Sequence, residues 1–206
     1  MNYVLAAERF HDRLRNMLAG VDAKLVTALP VIQKGDRLVT ICSGVIVPKA
    51  ALELLDRGIN FHGGPPEYPG RDPHHWAVYD GAKVFGITMH KLAAKVDSGD
   101  ILAVESFPVE RHSPAELRAI ATERMLEMFR LQAAPIFNGW LPKPTDHRWS
   151  NVRRSRKDLL AMLDLRGVGD AEIYRRRAAF YGFPIIENPD EDPDITRTAV
   201  GPHATA

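Results

Sequence analysis

Apolar residues recur in short runs along the chain, separated by segments that keep helical spacing. Residues 2–7, NYVLAA, and 23–29, AKLVTAL, are two such runs. Between them ERFHDRLRNMLAG sets Phe10, Leu14 and Met17 or Leu18 on one helical face, with Gly20 as a stop. A third run, RLVTICSGVIVP at 37–48, is almost continuously apolar and rich in Val and Ile, which predicts a strand buried on both faces of a parallel sheet. Pro48 then opens PKAALELLDRG, a helix with Ala51, Leu52 and Leu55 on one face and Gly58 as terminator. A very short strand, Ile59 to Phe61, follows. This alternation predicts an α/β fold, a Rossmann-like and mostly parallel sheet with flanking helices.

The pattern changes at residues 60–70, NFHGGPPEYPG, where three Pro and three Gly forbid regular structure. Trp76, Ala77 and Tyr79 in HHWAVYDGAK fit a helical turn. VFGITMHKL (84–92) and ILAVESFPV (101–109) read as two strands of a hairpin-like ribbon around the polar interval AAKVDSGD. Ser113, Pro114 and Glu116 start a helix with a cap hydroxyl, Pro in the first turn and Glu three residues after Ser. Leu117, Ile120, Ala121, Met125 or Leu126, and Phe129 continue it as a long amphipathic helix. Residues 1–147 thus form the main domain, 148–187 a small C-terminal appendage of helix and strand, and 188–206 a polar, Pro-containing disordered tail.

Composition narrows the partners. Of 206 residues 45% are hydrophobic, enough for one sizeable core, and 27 basic against 26 acidic side chains leave a net charge of +1. That balance gives no footprint for a nucleic-acid backbone. Local basic runs do occur, five cations in RWSNVRRSRK (148–157) and Arg175 to Arg177, and each is either a solvated face or a seat for an anionic ligand such as a phosphorylated substrate. Charges from Glu8 onward exclude a signal peptide or membrane span at the start, so a cytoplasmic protein with no membrane partner is expected. The single Cys42 excludes an internal disulfide and reads as a buried thiol rather than a nucleophile. No His pair has metal-site spacing with an acidic third ligand, so no metal is expected. Ser43 lacks the Gly-x-Ser-x-Gly elbow, and the first strand runs into AAERF without a Gly-rich phosphate loop.

What remains is Asn60 and His62 at one strand end and Asp97 in KVDSGD. Two residues apart on an extended segment, Asn60 and His62 point to the same side. An amide and an imidazole there can stabilise the oxyanion of a tetrahedral carbon, and a nearby carboxylate can hold the imidazole's charge or take a proton from an attacking amine. Those are the needs of acyl transfer to an amine. The same residues also suit plain structural roles, with Asn60 capping a strand, His62 filling a polar pocket and Asp97 opening a turn.

The stretch NFHGGPPEYPGRDPHHWAVYDGAKVFGITMHKLAAKVDSGDIL resembles the core of the 10-formyltetrahydrofolate-dependent formyltransferases. Their pattern is Asn-x-His, a Pro-containing loop, G-x-W-A or a similar helix start, G-x-T-x-H and x-D-x-G-x-I, and the resemblance runs through residues 37–109. It implies that Asn60, His62 and Asp97 are catalytic and that 10-formyltetrahydrofolate is the formyl donor. It further implies that the pterin is held by Ser43, Gly44, Val45, Ile46 and Val47 and by Lys95 and Val96. Gly63 and Gly64 would leave room for the acceptor, and Tyr68 and Arg71 could contact it, as could Trp76 and Tyr79, unless these pack a Pro-rich loop.

Only 36 residues precede Arg37, so the N-terminal half reads as shortened relative to that family. The early phosphate loop of the purine-pathway members is absent, and about 55 residues after Trp149 are too few for the RNA-binding barrel of the initiator-tRNA members. RRSRKDLLAMLDLRGVGDAEIYRRRAAFYGFPIIE is similar to the C-terminal segment of formyltransferases acting on nucleotide-linked amino sugars, a basic run before a helix and a Pro-containing aromatic strand. The expectation is therefore an N-formyltransferase for such a sugar. The alternatives are a formyltetrahydrofolate hydrolase, a formyltransferase for another small amine, and a folate-binding or scaffold protein with an incomplete site. The apolar stretch at 101–109 could pair two subunits.

Overall fold

The structure, a computed structural model, describes residues 1–185. Six strands make one mixed sheet in the order β2-β1-β3-β4-β5-β6. They are β1 Asn2–Leu5, β2 Lys24–Val26, β3 Arg37–Ile41, β4 Arg57–His62, β5 Val84–Lys91 and β6 Ile101–Pro108. The first four run parallel, β5 lies antiparallel to β4, and β6 antiparallel to β5. From β1 the chain goes outward through α1 (His11–Met17) to β2, then returns to the other side of β1 as β3. In such sheets ligand crevices lie outside the carboxyl ends of the strands near that reversal.

Strand alternation divides the apolar side chains between two faces. Val4, Val39, Ile41, Ile59 and Phe61 join the larger core with Leu14 of α1 and with Leu117, Leu126 and Phe129 of α4 (Pro114–Phe137). Tyr3, Leu5 and Leu38 face the other way, where the cover is thin because α2 (Lys49–Leu52) is a single turn. Since Ile59 and Phe61 are turned toward α4, Asn60 and His62 look out on this sparsely covered face.

The expected capping box of α4 forms: the Glu116 amide donates to Ser113 Oγ at 3.3 Å, and the Ser113 amide donates to Glu116 at 2.7 Å. Several boundaries differ from the reading of the sequence. The run at 37–48 is a strand only to Ile41, because Cys42 takes φ +50 and turns the chain out of the sheet. Val45 and Ile46, 39% and 70% exposed, are apolar for a reason other than burial. Gly58 does not end α2 but sits in β4, where a Cβ would crowd Leu55 at 3.1 Å and Leu92 at 3.2 Å. Helix α3 starts at Pro73 rather than near Trp76 and runs to Asp80. Ile101, Leu102 and Phe107 of β6 are buried in the chain's own core, whereas Ala103, Val104 and Glu105 are half-buried.

Beyond α4, Ser155 caps α5 (Arg156–Met162), and α6 spans Asp170–Ala179. Leu159, Leu163, Ala179 and Phe180 close over Trp76 of α3 as a separate apolar cluster. The aromatic strand expected after these helices is absent among the described residues, where 180–185 contain no strand, and the expected tail at 188–206 lies outside them. No helix of the described residues is long and apolar enough to cross a membrane.

Candidate active site

Register builds a polar row across three strands. Asn60 of β4 lies abreast of Thr40 on β3 and of His90 on β5, and His62 lies abreast of Thr88. The Thr40 hydroxyl donates to Asn60 Oδ1 at 2.6 Å, and Asn60 Nδ2 donates to His90 Nε2 at 2.9 Å. The other His90 nitrogen, Nδ1–H, donates to the Lys91 carbonyl at 2.8 Å, which leaves Nε2 between Asn60 and an Asp97 oxygen. The amide of Asn60 is therefore oriented from both sides, and its second N–H stays available.

Asp97 reaches this row from the loop between β5 and β6. One carboxylate oxygen lies 3.5 Å from His62 Nδ1 and also accepts from the Gly70 amide at 2.8 Å; the other lies 3.3 Å from His90 Nε2. Burial alone would raise the Asp97 pKa, but the His62 charge, the His90 ring and the Gly70 N–H outweigh it and hold the carboxyl at about 2. Burial pushes the His62 pKa down, opposed by Asp97 and by the Tyr68 carbonyl, which accepts from Nε2–H at 3.0 Å. Both nitrogens of His62 thus face acceptors, which favour the protonated ring, but burial prevails and leaves its pKa below the ordinary value.

A groove of about 770 Å³ opens over this constellation. Asn60, His62 and Asp97 line it, as do Ser43, Gly44, Val45, Ile46, Val47, Lys95, Val96, Gly63 and Arg71. Exposed Val45, Ile46 and Val96 (48%) supply an apolar wall. Gly64 and Tyr68 are placed differently. A Cβ on Gly64 would come within 2.7 Å of both His62 Nε2 and Pro73, so this glycine is demanded by close packing against His62, whereas Gly63 has nothing within 4 Å. The Tyr68 ring lines a smaller cleft with Arg71, Trp76 and Arg154. Cys42 also borders the groove, but burial pushes its thiol up to about 12, which disfavours a thiolate.

The basic run is largely internal wiring rather than a solvated face. Arg154 pairs with Asp80 at 2.6 and 3.0 Å and lies over Trp76, Arg156 approaches Asp72 at 3.3 Å, and Arg153 bonds the loop of Asp97. Arg71, Arg118 and Lys95 line the groove without an ion-pair partner among the described residues. Thr40 and His90 escaped the reading of the sequence because their roles depend on register across strands. The available signal was that Thr88 and His90 alternate along β5 as Asn60 and His62 do along β4. Among the described residues no group of three or more His, Cys, Asp or Glu side chains could hold a metal.

The polar row thus opens into a groove of a switch-point α/β sheet, the place where such sheets take ligands. Residues 23–124, which carry Asn60, His62 and Asp97, match the model of the formyl transferase family, and over these residues the chain belongs to that family. A methionyl-tRNA formyltransferase of Halalkalibacterium halodurans is 30% identical over 158 residues, 73% of this chain and 48% of the relative. The chain spans about half or less of the length of the curated relatives it matches. A sugar N-formyltransferase of Shewanella superposes with TM-score 0.69 at 14% identity, covering 85% of this chain and 86% of that one. An N-formyltransferase of Helicobacter canadensis, in complex with folinic acid and dTDP-3-aminofucose, gives TM-score 0.70 at 14% identity over 87% of this chain and 79% of its own. At that identity the likeness speaks for the fold.

Proposed function

We propose that the protein is an N-formyltransferase that moves a formyl group from 10-formyltetrahydrofolate to a primary amine on a nucleotide-linked amino sugar. The observation that carries the reading is the joint geometry of Asn60, His62 and Asp97 in one groove, within the segment that matches the formyl transferase family. The apolar wall of Val45, Ile46 and Val96 fits a flat heterocycle, and the donor supplies the formyl carbon. Arg71, Arg118 and Lys95, without ion-pair partners among the described residues, add positive charge to the same groove, which favours an acceptor bearing phosphate. The solved neighbour with folinic acid and a dTDP-linked amino sugar supports the same pairing of ligands.

In this mechanism the second N–H of Asn60 donates to the oxygen that gains charge as the amine attacks. His62 places its imidazole beside that oxygen, and Asp97 opposes the loss of the ring's proton that burial favours. A carboxyl held at about 2 is a poor proton acceptor near neutrality, so Asp97 acts mainly through its charge and the amine proton leaves by way of water. The new nitrogen–carbon bond forms as the donor's nitrogen–carbon bond breaks, and one proton passes from the amine to the departing nitrogen. A mass-spectrometric screen of nucleotide-linked amino sugars with the formylated folate tests this. Gain of one formyl group by an acceptor supports the reading; formate release without any acceptor would replace it with a hydrolase.

A further inference from the structure

Asp97 holds a backbone conformation that ordinary side chains rarely adopt, with φ +46. Something must hold the turn there, and its own sequence offers little, since the Ser98 hydroxyl donates only back to Lys95. The restraint comes from the segment after α4, outside the family-matched residues. Arg153 donates from its two terminal nitrogens to the carbonyls of Val96 at 2.6 Å and Asp97 at 2.9 Å, spanning the strained peptide. Trp149 donates its indole N–H to the Gly99 carbonyl at 2.8 Å, on the far side of the turn. The same indole packs edge-on against His90, with ring centroids 4.9 Å apart, and against His62 at 5.8 Å. Gly70, whose amide holds the Asp97 carboxylate, forms a β-bridge to Arg154 of this segment.

We propose that Trp149 and Arg153 are positioning residues that clamp the Asp97 turn against His62, so that the segment after the sheet completes the active site. The clamp serves the formyl-transfer reading and rests on it for its effect on rate, but not for its effect on the loop. A planar guanidinium is suited to bridging two adjacent carbonyls, which a lysine ammonium does with less geometric definition. Displacing a charge by about 1 Å from reacting atoms costs on the order of 10²-fold in rate.

The test compares wild type with Arg153→Ala, Arg153→Lys and Trp149→Phe by two readouts. Hydrogen–deuterium exchange at residues 94–99 needs no substrate. The clamp predicts faster exchange there in Arg153→Ala and Trp149→Phe, with the rest of the sheet unchanged. With an acceptor that wild type formylates, kcat of Arg153→Ala should fall about 10- to 100-fold while the acceptor KM moves less than about threefold. Added guanidinium should restore part of that kcat, and Arg153→Lys should fall between. A folded Arg153→Ala protein with wild-type exchange and wild-type kcat overturns the proposal. If Arg153→Ala does not fold, wild-type exchange in both Trp149→Phe and Arg153→Lys overturns it. Should wild type formylate nothing, the exchange experiment still decides the clamp, and the failure lies with the function alone.

Discussion

His62 Nδ1 and Asp97 Oδ2 face each other at 3.5 Å, one on the last residue of a parallel strand and the other in a loop between antiparallel strands, both nearly excluded from solvent. Because Asp97 titrates at about 2, it is anionic throughout the physiological range and opposes the effect of burial on His62. Asp97→Asn removes that anion and keeps the shape. His62 should then titrate at lower pH by NMR, and kcat should fall by on the order of 10² even in a folded protein. A His62 titration that does not move would separate the two residues.

Gly63 and Gly64, adjacent in sequence, should respond oppositely to the same substitution. Gly64→Ala drives a methyl into His62 and Pro73 and should lower both activity and thermal stability, because backbone and ring must shift. Gly63→Ala points into open space and should leave the melting temperature within about 2 °C of wild type, consistent with a change of less than ~0.5 kcal/mol. Paired melting curves check this.

The charged groove wall predicts a particular kinetic signature. Arg118→Ala and Arg71→Ala should raise KM for a phosphorylated acceptor about 10-fold, as expected when one charge-assisted contact worth roughly 1.5 kcal/mol is lost, with kcat little changed. The effect should shrink for an acceptor lacking phosphate. Equal effects on both acceptors would place these side chains away from the anion.

Acid should loosen the contact between α3 and the C-terminal helices. Burial lowers the pKa of His74 and His75 below the ordinary value of 6.5, and both sense the nearby Arg118 and Arg156, with Asp72 acting the other way on His75. A histidine depressed in the folded state is protonated first in the unfolded chain, so stability is full above about 6.5 and is lost as pH falls toward the folded value. The urea midpoint should therefore drop between pH 7.5 and 5. In His75→Phe, where a ring remains against Phe180 and Phe183, part of that slope should disappear.

Much of this was legible in the chain itself. Alternation in β4 put Asn60 and His62 on one side, and the Asp97 turn stood out as a carboxylate between two strands, because these depend on local periodicity. The extent of β3 was not legible: an apolar run looks the same whether it enters a core or lines a groove, and only the backbone at Cys42 separates the two. Thr40 and His90 required the cross-strand register. Arg153 and Trp149 were hidden for another reason, since a basic run gives no sign that its guanidinium groups will turn inward to backbone carbonyls.

The most direct test follows tetrahydrofolate release from 10-formyltetrahydrofolate, with and without a nucleotide-linked amino sugar, in wild type and in Asn60→Ala. Asn60 has its amide oriented by Thr40 and His90, with one N–H left to meet the oxyanion. The account predicts release that depends on the acceptor and falls by about 10²- to 10³-fold in the folded variant. Release that ignores the acceptor, or a folded Asn60→Ala protein turning over at the wild-type rate, would contradict it.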